Sequence, residues 1–68
     1  MPHVESSAVS EVDYDPSTRR LFVRFVSGAT YAYSDVPAAV SRGFLAAESK
    51  GRYFARKVRD RYAFKRID

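Results

Sequence analysis

The clearest pattern along the chain is the run of aromatic, aliphatic and β-branched residues over 20–26, which predicts a β-strand whose successive side chains point to opposite faces. One face of this strand carries Leu21, Val23 and Phe25. Residues 27–28, Ser-Gly, predict a short hairpin turn in which glycine can supply a positive φ. Residues 30–34 predict the next strand, with Tyr31 and Tyr33 on one face. If helices cover that face, these tyrosines belong to the core, which we favour; if not, they are free to stack on bases.

A less regular strand is predicted before these two, over residues 8–14. Val9 is out of phase with the alternating Val12 and Tyr14, which indicates either a β-bulge or a late start of the strand. Residues 15–18, Asp-Pro-Ser-Thr, are typical of a type I turn because proline suits its second position. Three strands joined by tight turns predict an antiparallel meander.

The periodicity changes after the third strand, and residues 38–48 predict a helix. Ser34 or Asp35 can act as its N-cap, and Pro37 suits its first turn, where the missing N–H has no partner to lose. The predicted apolar stripe consists of Val40, Phe44 and Ala47. Gly43 disfavours a helix interior by about 1 kcal/mol relative to Ala, and it can permit close packing on the sheet.

A second helix is predicted from Arg52 to about Tyr62, after residues 49–51, Ser-Lys-Gly, end the first one. Gly51 is expected just beyond the C-cap of that first helix. A spacing of four residues predicts a buried stripe made of Phe54, Val58 and Tyr62. A different face is predicted to carry Arg52, Arg56 and Arg59. The residues from Ala63 onward are expected to be too few for another element.

These elements predict an α+β fold in which a three-stranded antiparallel meander is followed by two helices. The 68 residues are expected to form one domain: residues 1–7 a polar lead-in, residues 8–35 the meander, and residues 36–68 a helical, basic half. The chain contains no cysteine, which excludes disulfides and thiolate metal sites. Because so small a domain buries little surface, its stability must come from dense aromatic packing, from oligomerisation or from attachment to a larger protein, and its ten aromatic residues favour the first of these.

The C-terminal segment, residues 50–68, holds most of the positive charge. Eight of the twelve Lys and Arg residues lie in it and only Asp60 and Asp68 oppose them, so it carries about +6, whereas residues 1–49 carry about −2. Four aromatic residues interleave with these cations: Tyr53, Phe54, Tyr62 and Phe64. Since cations neutralise phosphates and aromatic rings stack on bases, this composition indicates a nucleic-acid partner.

A set of ordered motifs covers nearly the whole chain. It runs through Val4-Glu5-Ser6-Ser7-Ala8-Val9, Tyr14-Asp15, Leu21-x-Val23-x-Phe25-x-x-Gly28, Tyr31-x-Tyr33-x-x-Val36-Pro37, Ser49-Lys50-Gly51-x-Tyr53-Phe54, Val58-Arg59 and Tyr62. In order and spacing this set resembles the KTSC domain, a small module named for its occurrence at the C-terminus of some lysyl-tRNA synthetases. Gly43, Phe44 and Ala55 depart from that pattern, Ala55 where a polar residue is usual. The resemblance implies a fold and a nucleic-acid partner, without a mechanism and without aminoacylation.

We therefore predict a non-enzymatic module that binds RNA, or with less support DNA, through its second helix and C-terminal tail. Phosphate contacts are assigned to Arg52, Arg56, Lys57, Arg59 and Arg61. The rim of this surface is assigned to Lys50, Lys65 and Arg66. Tyr53 lies off the apolar stripe and is assigned to base stacking, whereas the stripe itself is expected in the core. The alternative is a module for protein–protein interaction or homodimerisation that uses the same basic face.

Catalytic and metal-binding chemistry find little support in the sequence. Ser6 and Ser7 lack a base to activate them, because the only histidine is His3 near the N-terminus. Asp13 and Asp15 have no third carboxylate or histidine nearby. We expect no catalytic residue, no metal and no cofactor. No apolar run approaches the ~20 residues of a membrane-spanning helix, so we expect a soluble cytoplasmic protein without a membrane partner.

Overall fold

The computed structural model describes residues 9–68, which form a four-stranded antiparallel sheet and two helical segments. In their order along the sheet, the strands are β1 (Val9–Asp15), β2 (Arg20–Phe25), β3 (Thr30–Tyr33) and β4 (Phe64–Arg66). The first helical segment is α1 (Ala38–Ala46). The second, residues 50–58, is α2 (Lys50–Tyr53) followed directly by a π-helical turn, Phe54–Val58. The predicted α+β class is confirmed, and predictions on the lead-in, Ser6, Ser7 and Ala8 lie outside the described residues.

The three-stranded meander is confirmed, and so is the irregularity at the start of β1. The register against β2 shifts between Val9 and Glu11, which is a β-bulge, and Val9 still lies opposite Phe25. The extra residue corrects the phase of the strand. Val9 therefore packs on the core together with Val12 and Tyr14, although its spacing along the chain is wrong for simple alternation.

Residues with positive φ lie in both hairpin turns. Gly28 has a φ of 102° and donates its N–H to the Phe25 carbonyl at 2.8 Å, as expected for a tight turn. In the first turn it is Arg19 that adopts a φ of 58°. The Arg19 carbonyl accepts the Val36 N–H at 2.9 Å, so this turn also holds the segment that leads into α1.

The start and the end of α1 differ from the prediction. Pro37 is the N-cap residue, in extended conformation and without a side-chain cap, so neither Ser34 nor Asp35 caps the helix. The reason is that Asp35, with a φ of 58°, turns the chain before the helix begins. At the other end Ala47 is already extended, with a ψ of 138°, so the helix stops at Ala46 and not at residue 48.

The second helical segment begins earlier and ends earlier than predicted. Ser49 is its N-cap, with a side-chain oxygen that accepts the Arg52 N–H at 3.2 Å, so Gly51 lies inside this helix and not at the end of the first. The segment ends at Val58, because Arg59 is extended and Asp60 has a φ of 65°. Tyr62, predicted on the helical stripe, follows the helix yet still packs against the core.

The prediction that the tail forms no element is wrong, because β4 pairs with β3. Tyr33 lies opposite Phe64, and Tyr31 lies opposite Arg66. Further hydrogen bonds extend the pairing on both sides, since the Ser34 N–H reaches the Ala63 carbonyl and the Ile67 N–H reaches the Thr30 carbonyl, each at 2.9 Å. The half of the chain predicted to be helical, residues 36–68, thus returns to the sheet as an edge strand.

The core lies between one face of the sheet and the helical segments. Its buried members come from β2, β3, both helical segments and the junction before α1: Leu21, Val23, Tyr33, Val36, Phe44, Phe54 and Val58. Ser41 is the buried polar residue of this region, and its hydroxyl donates to the Ala38 carbonyl at 2.9 Å. Phe44 is fully buried, whereas its neighbour Leu45 is 57% exposed.

We expect Phe44→Ala to lower the free energy of unfolding by about 3–5 kcal/mol, because it opens a cavity in the centre of a small core. Leu45→Ala, one position along the same helix, should change it by less than about 0.5 kcal/mol, since surface substitutions rarely exceed that value. Urea unfolding followed by circular dichroism measures both. Equal losses for the two variants would show that α1 does not pack as described.

Candidate nucleic-acid interface

The second helical segment presents three exposed cations, Arg52, Arg56 and Lys57. Arg52 and Arg56 are four residues apart and therefore share one side of the helix. The ion pairs found within residues 9–68 are Arg24–Glu11, Arg59–Asp60 and Arg66–Asp68, so none of the three helical cations has a carboxylate within 4.0 Å there. Their charges face solvent and are available to an anionic partner.

Arg59 does not share the helical face predicted for it together with Arg52 and Arg56. The π-turn closes with the Arg59 N–H donating to the Phe54 carbonyl at 2.8 Å, after which Arg59 itself is extended. Its guanidinium Nε lies 4.0 Å from Asp60 Oδ2, and both residues line an aromatic cavity. The segment therefore divides its cations between a helix side and the rim of a cavity.

The remaining cations of the tail are exposed and follow the helix. Arg61 lies in the turn before β4, whereas Lys65 and Arg66 lie on that edge strand and so point to opposite faces of the sheet. Arg66 Nε donates to the carbonyl of Asp68 at 3.2 Å. Asp68 also accepts the Thr30 N–H at 3.0 Å, and this hydrogen bond, aided by the Arg66 charge, lowers the pKa of its carboxyl group.

Two predicted contact residues use their polar groups within the fold. Lys50 Nζ donates to the carbonyls of Leu45 and Ala47 at 3.2 and 3.1 Å, which closes the open end of α1. The Tyr53 hydroxyl donates to the Val40 carbonyl at 2.9 Å, and its ring centroid lies 5.2 Å from that of Phe44. Burial raises the pKa of Tyr53. Their assignment to nucleic acid stays a prediction, but both join α1 to the second helical segment.

Gly43 permits the close approach of the two helical segments, and not of α1 to the sheet as predicted. A Cβ atom at this position would lie 3.0 Å from Tyr53 Cζ and 3.1 Å from Cε2, and still closer to the hydroxyl. Because that hydroxyl is held by the Val40 carbonyl, the ring cannot move aside without losing its hydrogen bond. The helix-disfavouring glycine is therefore explained by the tyrosine that packs on it.

The aromatic cavity is the feature that sequence reasoning missed. Five rings border it, contributed by β2, β3, the π-turn and β4: Phe25, Tyr31, Tyr33, Phe54 and Phe64. Tyr33 and Phe54 are buried, as predicted for core residues, while Tyr31 and Phe25 are half-buried and Phe64 is 58% exposed. A signal lay in the two basic residues, Lys65 and Arg66, between the apolar residues Phe64 and Ile67, because charged side chains are common on edge strands.

The two aspartates considered for a metal or acid–base site have local roles. Asp13 Oδ1 accepts the Tyr14 N–H at 3.0 Å, and Asp15 Oδ1 accepts both the N–H and the hydroxyl of Ser17, at 3.0 and 2.7 Å. These hydrogen bonds lower the pKa of Asp15 and confirm it as a turn former. Within residues 9–68, no three metal-ligating side chains come together, and no helix is long and apolar enough to cross a membrane.

Comparison with known proteins gives consistent matches over almost the whole chain. The model of the family described as KTSC domain matches residues 5–62. A protein of Tsukamurella paurometabola is 47% identical over 62 residues, covering 91% of this chain and 92% of that protein. The solved structure of a KTSC domain protein from Yersinia pestis has a TM-score of 0.85 and 35% identity, covering 96% of this chain and 92% of that one.

A match of a different kind is to a lysine–tRNA ligase of Nostoc punctiforme. The two sequences are 30% identical over 63 residues, which cover 93% of this chain but only 11% of the ligase. The chain thus corresponds to a small part of that enzyme. Neither the family description nor the name of the Tsukamurella relative states a catalytic activity.

We expect Gly43→Ala to destabilise the protein by about 1–2 kcal/mol, because overpacking against Tyr53 outweighs the gain in helix propensity. The penalty should shrink in a Tyr53→Phe background, where the nearest clashing atom is gone. A double-mutant cycle from urea unfolding measures this coupling. If Gly43→Ala instead stabilised the protein by the full propensity gain, the close helix contact would be contradicted.

We further expect stability to fall between pH 10 and pH 12 through Tyr33. Burial raises the pKa of Tyr33 from 10.0 to about 12, so the folded protein holds the phenol proton more tightly than the unfolded chain. The stabilisation is complete below pH 10 and is lost as the pH rises through about 12. The measurement is the free energy of unfolding in urea at several pH values between 9 and about 12. In Tyr33→Phe this free energy should no longer fall through Tyr33 over that range. In Tyr31→Phe, which retains Tyr33, the fall should remain.

Proposed function

Because this chain belongs to the KTSC domain family, we propose that it is a non-catalytic module that binds RNA through the basic side chains of residues 52–66. The observation that carries the proposal is the set of exposed cations on the second helical segment that have no carboxylate partner in the described part of the chain, residues 9–68. Solvated surfaces usually mix both signs of charge. A surface with this excess attracts a polyanion and releases its counterions on binding.

The contact surface that we propose is smaller than the predicted set. Its phosphate contacts are Arg52, Arg56 and Lys57 on the helix and Arg61, Lys65 and Arg66 beyond it. Lys50 and Tyr53 are left out because their polar groups already join the two helical segments. Arg59 is assigned separately to the cavity rim. Phosphate contacts of this kind position a nucleic-acid backbone without reading its sequence, so we propose weak sequence preference.

RNA is preferred over DNA because of the ligase match. A protein named for its action on tRNA contains a segment similar to nearly all of this chain, and a small basic module beside a tRNA-binding enzyme can supply extra phosphate contacts. The ligase activity itself is not carried over, since the chain corresponds to 11% of that protein. An RNA partner is consistent with action in the cytoplasm.

Protein–protein interaction through a basic face is the competing function, and the edge strand gives it some support. Phe64 and Ile67 are 58% and 49% exposed, and among residues 9–68 β4 has a neighbouring strand on one side only. Such an edge can pair with a strand of a second copy. Sedimentation at several protein concentrations distinguishes the two functions: a dimer that forms without RNA and excludes it would replace our proposal.

We expect the wild-type protein to bind labelled tRNA and single-stranded RNA with an affinity that falls steeply with salt. The double variant Arg56→Gln/Lys57→Gln should bind more weakly and lower the slope of log affinity against log salt by roughly 1.4 to 1.8, the value for two phosphate contacts. Fluorescence anisotropy across a salt series measures both quantities.

The matched control removes the same number of charges from the first hairpin, as Arg19→Gln/Arg20→Gln. Both of these arginines are exposed and precede the basic segment, so the control should change the salt slope by much less. Equal effects of the two double variants would mean that only net charge matters. Flat curves for the wild-type protein at micromolar concentration would remove the RNA proposal itself.

A further inference from the structure

The five rings around the aromatic cavity form a closed circuit of contacts. Going round, the centroid distances are 5.8 Å for Phe25–Tyr31, 5.7 Å for Tyr31–Phe64, 5.5 Å for Phe64–Tyr33, 5.8 Å for Tyr33–Phe54 and 5.3 Å for Phe54–Phe25. The space that these rings border is open to solvent and has a volume of about 420 Å³. That value lies within the range typical of small-molecule sites. The rings therefore line an open cavity that can hold a planar group.

The cavity has a buried floor and an open side. Tyr33 and Phe54 form the floor, with 4% and 5% of their surface exposed. Phe64, at 58% exposure, stands at the open side on the edge strand. A phenylalanine so exposed contributes little to the core and leaves a ring surface that a ligand can cover.

Polar groups at the rim could recognise the edge of a planar ligand. Arg59 supplies guanidinium donors, Asp60 supplies carboxylate acceptors, and Ser27 supplies a hydroxyl that does both. The π-turn joins rim to floor, because the Arg59 N–H donates to the carbonyl of Phe54. Stacking surfaces combined with a few polar groups at one edge are the usual means of holding an unpaired base.

The charge around the cavity selects among the ligands that aromatic rings accept. Aromatic cages also bind quaternary ammonium groups, but here Arg59 lines the wall beside Asp60, and Arg66 lies opposite Tyr31 and is paired with Asp68. The charges within each of these two ion pairs balance, and the positive excess comes from Arg56 and Lys57 in the π-turn and Arg61 next to Asp60, which have no carboxylate within 4.0 Å among residues 9–68. That excess repels a cation and attracts an anion. A nucleotide satisfies both halves of the site, since its base is planar and aromatic and its phosphate is negative.

We infer that the aromatic cavity binds one base of single-stranded RNA, stacked against Phe64 and Tyr31, with Arg59 at its edge or phosphate. This inference rests on the proposed RNA-binding function and specifies single-stranded RNA as the partner. A duplex keeps its bases paired and stacked inside, so only an unpaired nucleotide can enter. The helix cations hold the backbone while the cavity holds one base.

The test compares Phe64→Ala with Leu45→Ala, which removes an apolar side chain of nearly equal exposure, 57%, from α1. We expect Phe64→Ala to weaken binding of a labelled single-stranded oligonucleotide by about 5- to 150-fold, the range for one lost stacking contact. Its salt slope and its affinity for an RNA duplex should stay unchanged, and Leu45→Ala should match the wild type throughout. Phe64→Leu keeps an apolar side chain of similar bulk but has no ring, so it tests whether the effect of Phe64→Ala comes only from loss of the edge strand. It should weaken binding similarly.

A second measurement uses small probes and the nuclear magnetic resonance signals of the cavity rings. Adenosine monophosphate should shift the signals of Tyr31 and Phe64, whereas ribose 5-phosphate should not. Salt-dependent RNA binding that Phe64→Ala and Phe64→Leu leave intact would overturn the cavity assignment and keep the RNA function. A trimethyl-lysine peptide that shifts the rings where the nucleotide does not would also overturn it. If the wild-type protein bound no RNA, both the cavity assignment and the proposed RNA-binding function would be overturned.

Discussion

The pairing of β4 with β3 is the constraint on which the candidate sites depend. It brings the chain back to the sheet after both helical segments, and it fixes where the intervening residues must turn. Without it, Phe64 would have no place beside Tyr33, and the aromatic circuit would lack its open member. The pairing also sets Arg66, together with its partner Asp68, opposite Tyr31, so charged groups of the tail lie next to the rings. A short edge strand thus brings the charged and the aromatic features of this chain together.

The helix–helix contact explains why a basic segment is not uniformly available to a partner. A glycine on one segment and a tyrosine on the other allow the two to approach closely, and a lysine closes the carbonyl end of the first. Residues of the same chemical type therefore divide by position. Lys50 at the start of the second segment stabilises the junction, whereas Arg52, Arg56 and Lys57 face solvent. In a domain this small, stabilising contacts and binding contacts must come from neighbouring residues.

Much of the fold could be predicted because periodicity and turn chemistry are local. The alternation in β2, the glycine of the second hairpin and the bulge near Val9 all appear in the structure. The end of the second helical segment could not be predicted, because the residue that adopts a left-handed conformation there is Asp60 and not a glycine, the residue that usually does so. Strand β4 has three residues, and its formation depends on pairing with residues 31 to 35 positions earlier in the chain. The cavity was beyond reach for the same reason, because its rings come from four elements.

The π-turn sets the angular phase of everything that follows it. An α-helix rotates by about 100° per residue, so the extra residue held in a π-turn changes which side chain faces the sheet when the helix ends. Deleting one residue between 54 and 58 would restore regular α-helical hydrogen bonding at little local cost. After this deletion the Arg59 N–H would still meet the Phe54 carbonyl, now four residues back, so Arg59 would keep its place at the cavity. Homologues that differ here by one residue are therefore expected to keep both the fold and the side chain at the rim, which makes this turn a point where the length of the chain can change without a change of the site.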